Sequence, residues 1–314
     1  MLKKVLISLA IILFLLVGTI GGGVWYYLNQ IPREKVDHII ANEDPTILGD
    51  NGISASTNSL GTDQGVLDDL AQYSDITNIL VLGVDSPDGI GRSDAMMILT
   101  VDRTTSKIKL TSLIRDSYVY IAGHGMDKLN HAYAFGGASL ALRAVNTNFD
   151  MNITDFVRVN FSSLPHIIDK IGGLDIDLTA AEAKTVGVPS KGLNHLNGAQ
   201  VLTYSRDRST AGGDFMRTTR QREVMMLMIK KLMKLTPVEM IQTVDQLLPM
   251  VKTSLTSGDI LGLGTAATIG KYDIVQNSFP EDETSKGVLI DQIYYLKWDK
   301  QNTINKLHKF IFNK

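Results

Sequence analysis

Residues 5–28 read VLISLAIILFLLVGTIGGGVWYYL, without one charged side chain. No other feature restricts the chain as strongly. A backbone in hydrocarbon must satisfy its own hydrogen bonds, so such a run has to be helical. At 1.5 Å per residue it is long enough to cross a hydrocarbon core of ~30 Å. Lys3 and Lys4 precede it, and Trp25, Tyr26 and Tyr27 close it. A basic flank stays in the cytoplasm, and aromatic rings gather at the membrane interface. A cleaved signal peptide, with the glycines near Gly21 at its cleavage site, is the competing reading. The run exceeds the ~7–15 residue apolar core of such a peptide. The sequence therefore predicts a signal anchor over 5–28, residues 1–4 in the cytoplasm, and the remainder exported.

That remainder has to fold on its core alone. The chain has 314 residues, 44% of them hydrophobic, enough for one large domain or two small ones. It has no cysteine, which excludes disulfides, thiolate nucleophiles and cysteine-based zinc sites. The formal net charge is −2, so no global basic field draws nucleic acid. Any anion site must be local.

Residues 29–75 read as a polar, turn-rich stalk, with NGISASTNSLGTDQG at 51–65. Folded sequence begins near Ile76. ITNILVLGV at 76–84 is a buried strand, and DAMMILTVD and KIKLTSLI form a hairpin around RTTS. A helix over 132–149, a strand DFVRVNF, a helix SLPHIIDKI and a strand LDIDL follow. Asn197 caps a short helix, TTRQREVMMLMIKKLMKL is a longer one, and Thr236-Pro237 starts another. IYYLKW is a strand, with a helix from about Asp299. The alternation predicts an α/β fold with a central mixed sheet and helices on both faces. Residues 76–235 make the main domain, and 236–314 complete it.

RDRSTAGGDFMRTTRQR, residues 206–222, holds five arginines. Extended backbone would project Arg206 and Arg208 from one face. Arg217 and Gln221 share a helical stripe, with Asp214 three residues before it and Arg220 beside it. Arg222 and Glu223 point elsewhere and read as solvated. A glycine turn joins the two groups. Planar guanidinium forks converging on a helix start suit a phosphate or pyrophosphate. A solvated basic helix start is the alternative.

Upstream, LGVDSPDGIGRSD leaves the first strand. Asp85 sits at its carboxyl end and Asp94 at the start of the next, with Arg92 between them. Ligands of open α/β sheets bind at such ends. Two carboxylates there suit one Mg²⁺, which keeps water and phosphate as its other ligands. Ordinary turn chemistry also explains these acids. LIRDSYV places Arg115 and Asp116 after the hairpin, and DKLNH places Lys128 and Asn130 at a helix start.

In this order, LGVDS…GRSD, SLIRDSYV, DKLNHAYAFGG, VNF…IDKIGGLDIDL, LNGAQVLTYSRDR and GGDFMRTTRQREV resemble the LytR–CpsA–Psr family. The similarity spans roughly residues 78–232, about half the chain. The resemblance implies an extracytoplasmic phosphotransferase of Gram-positive type, single-pass in the cell membrane. It would move a glycopolymer, a wall teichoic acid or capsular polysaccharide, from a polyprenyl-pyrophosphate carrier onto peptidoglycan. It implies that Asp85 and Asp94 bind Mg²⁺ or Mn²⁺. Arg92, Arg115, Lys128, Arg206, Arg208, Arg217 and Gln221 would cradle the pyrophosphate, with Asp214 orienting them. Asp85, Asp94 and Arg115 would carry the catalysis. It also implies an apolar pocket for the lipid, to which VMMLMIKKLM contributes or is plain core. Asp207 departs from the family pattern, and period-two geometry points it away from the cradle.

GLGTAA at 262–267 lacks the strand and acid of a dinucleotide site. The six histidines show no metal-ligand spacing; His131 alone adjoins the expected cradle. A non-catalytic lipid-pyrophosphate binder, a pyrophosphatase and an envelope-related transcriptional attenuator remain alternatives. The last needs DNA on the side of the membrane opposite the arginines.

Overall fold

The computed structural model describes residues 29, 33–36, 58–84, 91–160, 163–207, 213–232, 234, 251–260, 262–263 and 272–314. The apolar run at 5–28, Asp85, Arg208 and the helix expected from Thr236 lie outside these residues. So do the side chains of residues 213–215, 218 and 232. Among the described residues no helix is long and apolar enough to cross a membrane.

Strands β1 (Ile76–Val84), β2 (Ser93–Asp102) and β3 (Lys107–Leu113) form an antiparallel meander. Strand β6 (Asp155–Asn160) runs parallel to β1, and β9 (Val251–Thr253) lies antiparallel on its far side. Strand β10 (Asp273–Phe279) runs parallel to β3 at the other edge. The sheet is mixed, in the order β10-β3-β2-β1-β6-β9. Because both faces are covered, β1 reads as a continuous apolar run rather than an alternating one.

On one face Leu80, Leu82, Met96 and Ile98 pack with helices α2 (Leu129–Phe149) and α7 (Lys300–Phe312) through Leu142 and Leu307. On the other, Val81, Ala95 and Met97 take Met225 of helix α6 (Gly213–Leu232). Helix α6 also closes a second core around Ile168, Ile176, Val201 and Val224. That core comprises helices α3 (Leu164–Lys170), α4 (Ala180–Val186) and α5 (Gly198–Arg206) and the hairpin β7 (Leu174–Leu178)–β8 (Gly192–Leu196).

Three expectations change. The described part of the expected stalk is folded: Glu34 N donates to the Thr253 carbonyl of β9 at 3.0 Å, and helix α1 (Gln64–Leu70) follows a turn in which Thr62 Oγ1 donates to the Met151 carbonyl at 2.9 Å. There the Asn146 side chain also donates to the Leu60 carbonyl at 3.0 Å. Arg206 does not lie on a strand. The Asn197–Gln200 capping box starts α5, and the helix runs on through Arg206. The helix from Ala132 starts earlier, at Leu129, and kinks at Gly136 and Gly137, the latter at φ 62°.

Beyond β10, the C-terminal hairpin β11 (Ser285–Ile290)–β12 (Ile293–Trp298) docks edge-on beside the sheet, Leu296 N donating to the Asp116 carbonyl at 2.9 Å. Trp298 stacks on Phe149 with ring centroids 4.9 Å apart.

Candidate anion site

The site forms where β2 begins and β3 ends. Gly83 pairs with Ala95 and Val84 with Ser93, so Asp94 is an extra residue in β2. Such a bulge re-aims a side chain at a sheet end. The Ser93 hydroxyl steadies it, donating to the Ala95 carbonyl at 2.8 Å. The bulged Asp94 accepts a hydrogen bond from Arg115 through Oδ1. Its side chain keeps 35% exposure, and Oδ2 has no partner among the described residues.

Arg115 stands in a tight turn after β3, Ser117 N donating to the Ile114 carbonyl at 3.0 Å. Helix α2 pins the turn from the other side. The amides of Leu129 and Asn130 donate to the carbonyls of Ser117 and Arg115, both at 3.0 Å. These two amides at the helix start thus hold the turn that carries Arg115.

Arg115 Nε also meets Asp116 Oδ2 at 3.3 Å, and Lys128 Nζ meets Asp116 Oδ1 at 2.8 Å. Lys128 ends strand β5 (Gly125–Lys128), paired with Tyr118 of β4 (Tyr118–Ile121). It lies 5.7 Å from the ring centre of Tyr295 and 6.0 Å from that of Tyr294, within cation–π range. Asp127, next door, accepts from the Tyr295 hydroxyl at 3.3 Å and meets His131 Nδ1 at 2.7 Å. Burial pushes the Asp127 carboxyl up, but hydrogen bonds from His131 and the Lys128 amide outweigh it and hold it below the ordinary value.

From the opposite face Arg217, 3% exposed on α6, brings Nη2 to the Asp94 carbonyl oxygen at 3.5 Å. Gln221 is buried one turn further along. The structure thus brings Asp94, Arg115, Lys128 and Arg217 together. Arg92 is exposed beside Ser93, and Arg206 is exposed at the end of α5. Asp214 lies in the first turn of α6.

The other residues of the arginine run behave differently from their expected places. Arg222 is buried, not solvated. Glu223 accepts from the Tyr204 hydroxyl. Asp207 is also buried, and its carbonyl accepts from Arg220 Nη1 at 2.9 Å. Arg220 is wholly enclosed, Nε donating to Glu182 at 2.8 Å. Sequence reasoning passed over Asp116 as a site residue, although its place beside Arg115 was a signal. Nothing in the sequence marked Tyr294 and Tyr295, which arrive from the C-terminal hairpin.

A cluster of three cations and two acids, drawn from four elements, has the charges that suit a multiply charged oxyanion. The LytR_cpsA_psr family model matches residues 46–309. The chain belongs to this family. It is 31% identical over 306 residues to the polyisoprenyl-teichoic acid–peptidoglycan teichoic acid transferase TagU of Bacillus subtilis (strain 168). That match covers 95% of this chain and 92% of the relative. The solved structure of TagT bound to LIIa-WTA superimposes with TM-score 0.65 at 28% identity, covering 77% of this chain and 91% of that one. YwtF (TagT) with bound octaprenyl pyrophosphate lipid gives TM-score 0.61 at 25% identity, covering 76% and 92%.

Proposed function

We propose that this chain is a membrane-anchored phosphotransferase acting outside the cell. It moves an anionic glycopolymer from a polyprenyl-pyrophosphate carrier onto a peptidoglycan sugar hydroxyl and releases polyprenyl phosphate. The observation that carries the reading is the cluster of Arg115, Lys128 and Arg217 around Asp94 and Asp116, in a fold whose solved relative holds octaprenyl pyrophosphate. Residues 5–28 are its signal anchor, with the N-terminus in the cytoplasm and the folded part exported, as in Gram-positive envelopes.

The chemistry follows from the charges. The sugar hydroxyl attacks the phosphorus on the glycan side, and the bond to the lipid phosphate breaks. Arg115 and Lys128, aligned by Asp116, hold the equatorial oxygens, where negative charge spreads in the transition state. Arg217 reaches the same place from α6, with Gln221, Arg206, Arg208 and Arg92 completing the cradle and Asp214 orienting it.

Magnesium suits the donor set. Asp94 offers one carboxylate oxygen that Arg115 leaves unused, and Mg²⁺ needs only one or two carboxylates beside phosphate and water. Asp94 and Asp85 would hold it. When bound, the ion would neutralise charge on the phosphates.

The test uses the full chain in detergent with Mg²⁺, a polyprenyl-pyrophosphate glycan and peptidoglycan fragments. Mass spectrometry should find a glycan–phosphate–peptidoglycan adduct that disappears on chelation. Free glycan phosphate without an adduct would make the protein a hydrolase instead.

A further inference from the structure

Beyond Lys128 the cation cluster gives way to aromatic rings. Tyr294, on β12, is 45% exposed. Its ring lies across Gly287, its diagonal neighbour on β11: a methyl group there would meet the ring atom Cε2 at 2.7 Å and the hydroxyl oxygen at 2.9 Å. The glycine lets the ring lie down on the hairpin, so backbone backs one of its faces. Lys128 Nζ is 6.0 Å from the ring centre, so this half-exposed ring adjoins the cation cluster.

A series of contacts leads on from there. The Tyr295 hydroxyl donates to Asp127 at 3.3 Å, Asp127 meets His131 Nδ1 at 2.7 Å, and the His131 ring centre stands 5.9 Å from that of Phe135. Phe135 is also 45% exposed. His124 stacks on one of its faces, with centroids 4.2 Å and planes 12° apart. Each exposed ring is thus supported from behind. Its remaining apolar area contributes nothing until a ligand covers it.

The chemistry that suits this surface is narrow. An aromatic ring carries negative charge on its faces, and the C–H face of a pyranose carries partial positive charge, so sugars stack on such rings. Asp127, part-exposed in the series between the two rings, offers acceptor oxygens to sugar hydroxyls. Its charge also repels a polyanion, and Lys128, its neighbour, is already matched by Asp116 at 2.8 Å. The charges therefore favour a neutral glycan over the phosphate-bearing one. We propose that Tyr294 and Phe135 bind the neutral glycan backbone of the acceptor, with Tyr294 under the sugar nearest the cation cluster. Stacking fixes the plane of that sugar and so the direction in which its chain presents a hydroxyl. The assignment to the acceptor rests on the transferase reading of the site, whereas the binding of a neutral glycan does not.

The experiment titrates the full chain in detergent with chitotetraose, a neutral β-1,4-linked pyranose chain, and separately with inorganic pyrophosphate. Tyr294→Ala should bind chitotetraose about tenfold more weakly, the loss of one aromatic contact, with pyrophosphate binding nearly unchanged. Phe135→Ala should lose affinity in the same direction. Tyr294→Phe, which keeps the ring, should bind as wild type. If Tyr294→Ala fails to fold, Tyr294→Leu, which still covers Gly287, is judged on the same criterion. Wild-type affinity for chitotetraose in either alanine variant, or no binding by the wild type, overturns the inference and leaves the proposed function standing. In transfer assays Tyr294→Ala should raise the KM for peptidoglycan fragments about tenfold and leave the KM for the lipid-linked donor within about twofold. A rise in the donor KM instead gives the rings to the donor's sugars and overturns the acceptor assignment. A wild type that binds chitotetraose through Tyr294 but forms no adduct overturns the transferase reading and keeps the neutral-glycan site.

Discussion

Asp116 forms an ion pair with Lys128 Nζ at 2.8 Å through one carboxylate oxygen, and its other oxygen accepts from Arg115 Nε at 3.3 Å. One acid therefore fixes the spacing of two cations that arrive on different elements. Asp116→Asn keeps the shape and removes the charge that aligns them. A misplacement of about 1 Å costs on the order of 10²-fold in rate. Transfer by Asp116→Asn should fall in kcat/KM by about that factor, with an unchanged far-UV circular dichroism spectrum. A wild-type rate would mean that Arg115 and Lys128 need no alignment.

The fold was legible because its signals are local and repeated. The run 76–84, the turn residues between β2 and β3, and the Asn197–Gln200 cap each name their element. The site was legible in composition and less so in geometry. A bulge at Asp94 leaves no mark in the sequence, since Ser93 and Asp94 look like any strand start. Arg206 was misplaced because an extended pair of arginines is a pattern of two residues, while the helix that holds Arg206 is set by a cap nine residues earlier. Arg222 was misread because a charged residue in a charge run is usually solvated. The stripe it shares with Met225 was the better guide.

Glu182 and Arg220 are a buried pair, 2.8 Å apart, that ties α4 to α6. Removing one partner leaves the other buried and uncompensated, so Glu182→Ala or Arg220→Ala should lose about 3–5 kcal/mol in chemical denaturation. Little or no loss would show that water reaches the pair.

The same pair makes a statement about pH. Burial raises the Glu182 carboxyl, but the hydrogen bonds from Thr179 and the guanidinium of Arg220 win and hold it below its ordinary value. The unfolded chain therefore binds the proton more readily. The pair's contribution is complete above the unfolded pKa, about 4.3, and is lost as the pH falls through the folded one. Glu182→Gln should flatten the melting-temperature profile on the acid side of that value and leave its slope above pH 6 unchanged. A parallel profile would remove Glu182 from the acid response.

Gly198 opens α5 directly against α3. A methyl group there would meet the Pro165 carbonyl oxygen at 1.9 Å, and the Gly198 amide donates to Asp169 at 2.7 Å. Backbone cannot yield as a side-chain tip can. Gly198→Ala should therefore destabilise by about 3 kcal/mol, at the upper end of overpacking costs, although alanine is the better helix former. A stabilised variant would mean that the two helices separate without penalty.

Asp94 is raised by its bulge into a position where one oxygen accepts from Arg115 and the other has no partner among the described residues. The two duties can be separated. In Asp94→Asn the amide oxygen still accepts from Arg115, so the cation stays placed, but the charge that attracts a divalent ion is gone. If Asp94 holds Mg²⁺ with Asp85, the Mg²⁺ concentration for half-maximal transfer should rise at least ~10-fold, since even an outer partner of a metal is worth about 10–100-fold in affinity. Transfer at saturating Mg²⁺ should recover in part. An unchanged Mg²⁺ titration with a lowered plateau would assign Asp94 to Arg115 alone and place the ion elsewhere. In that case the carboxylate's work is electrostatic, setting the guanidinium's orientation before the pyrophosphate arrives.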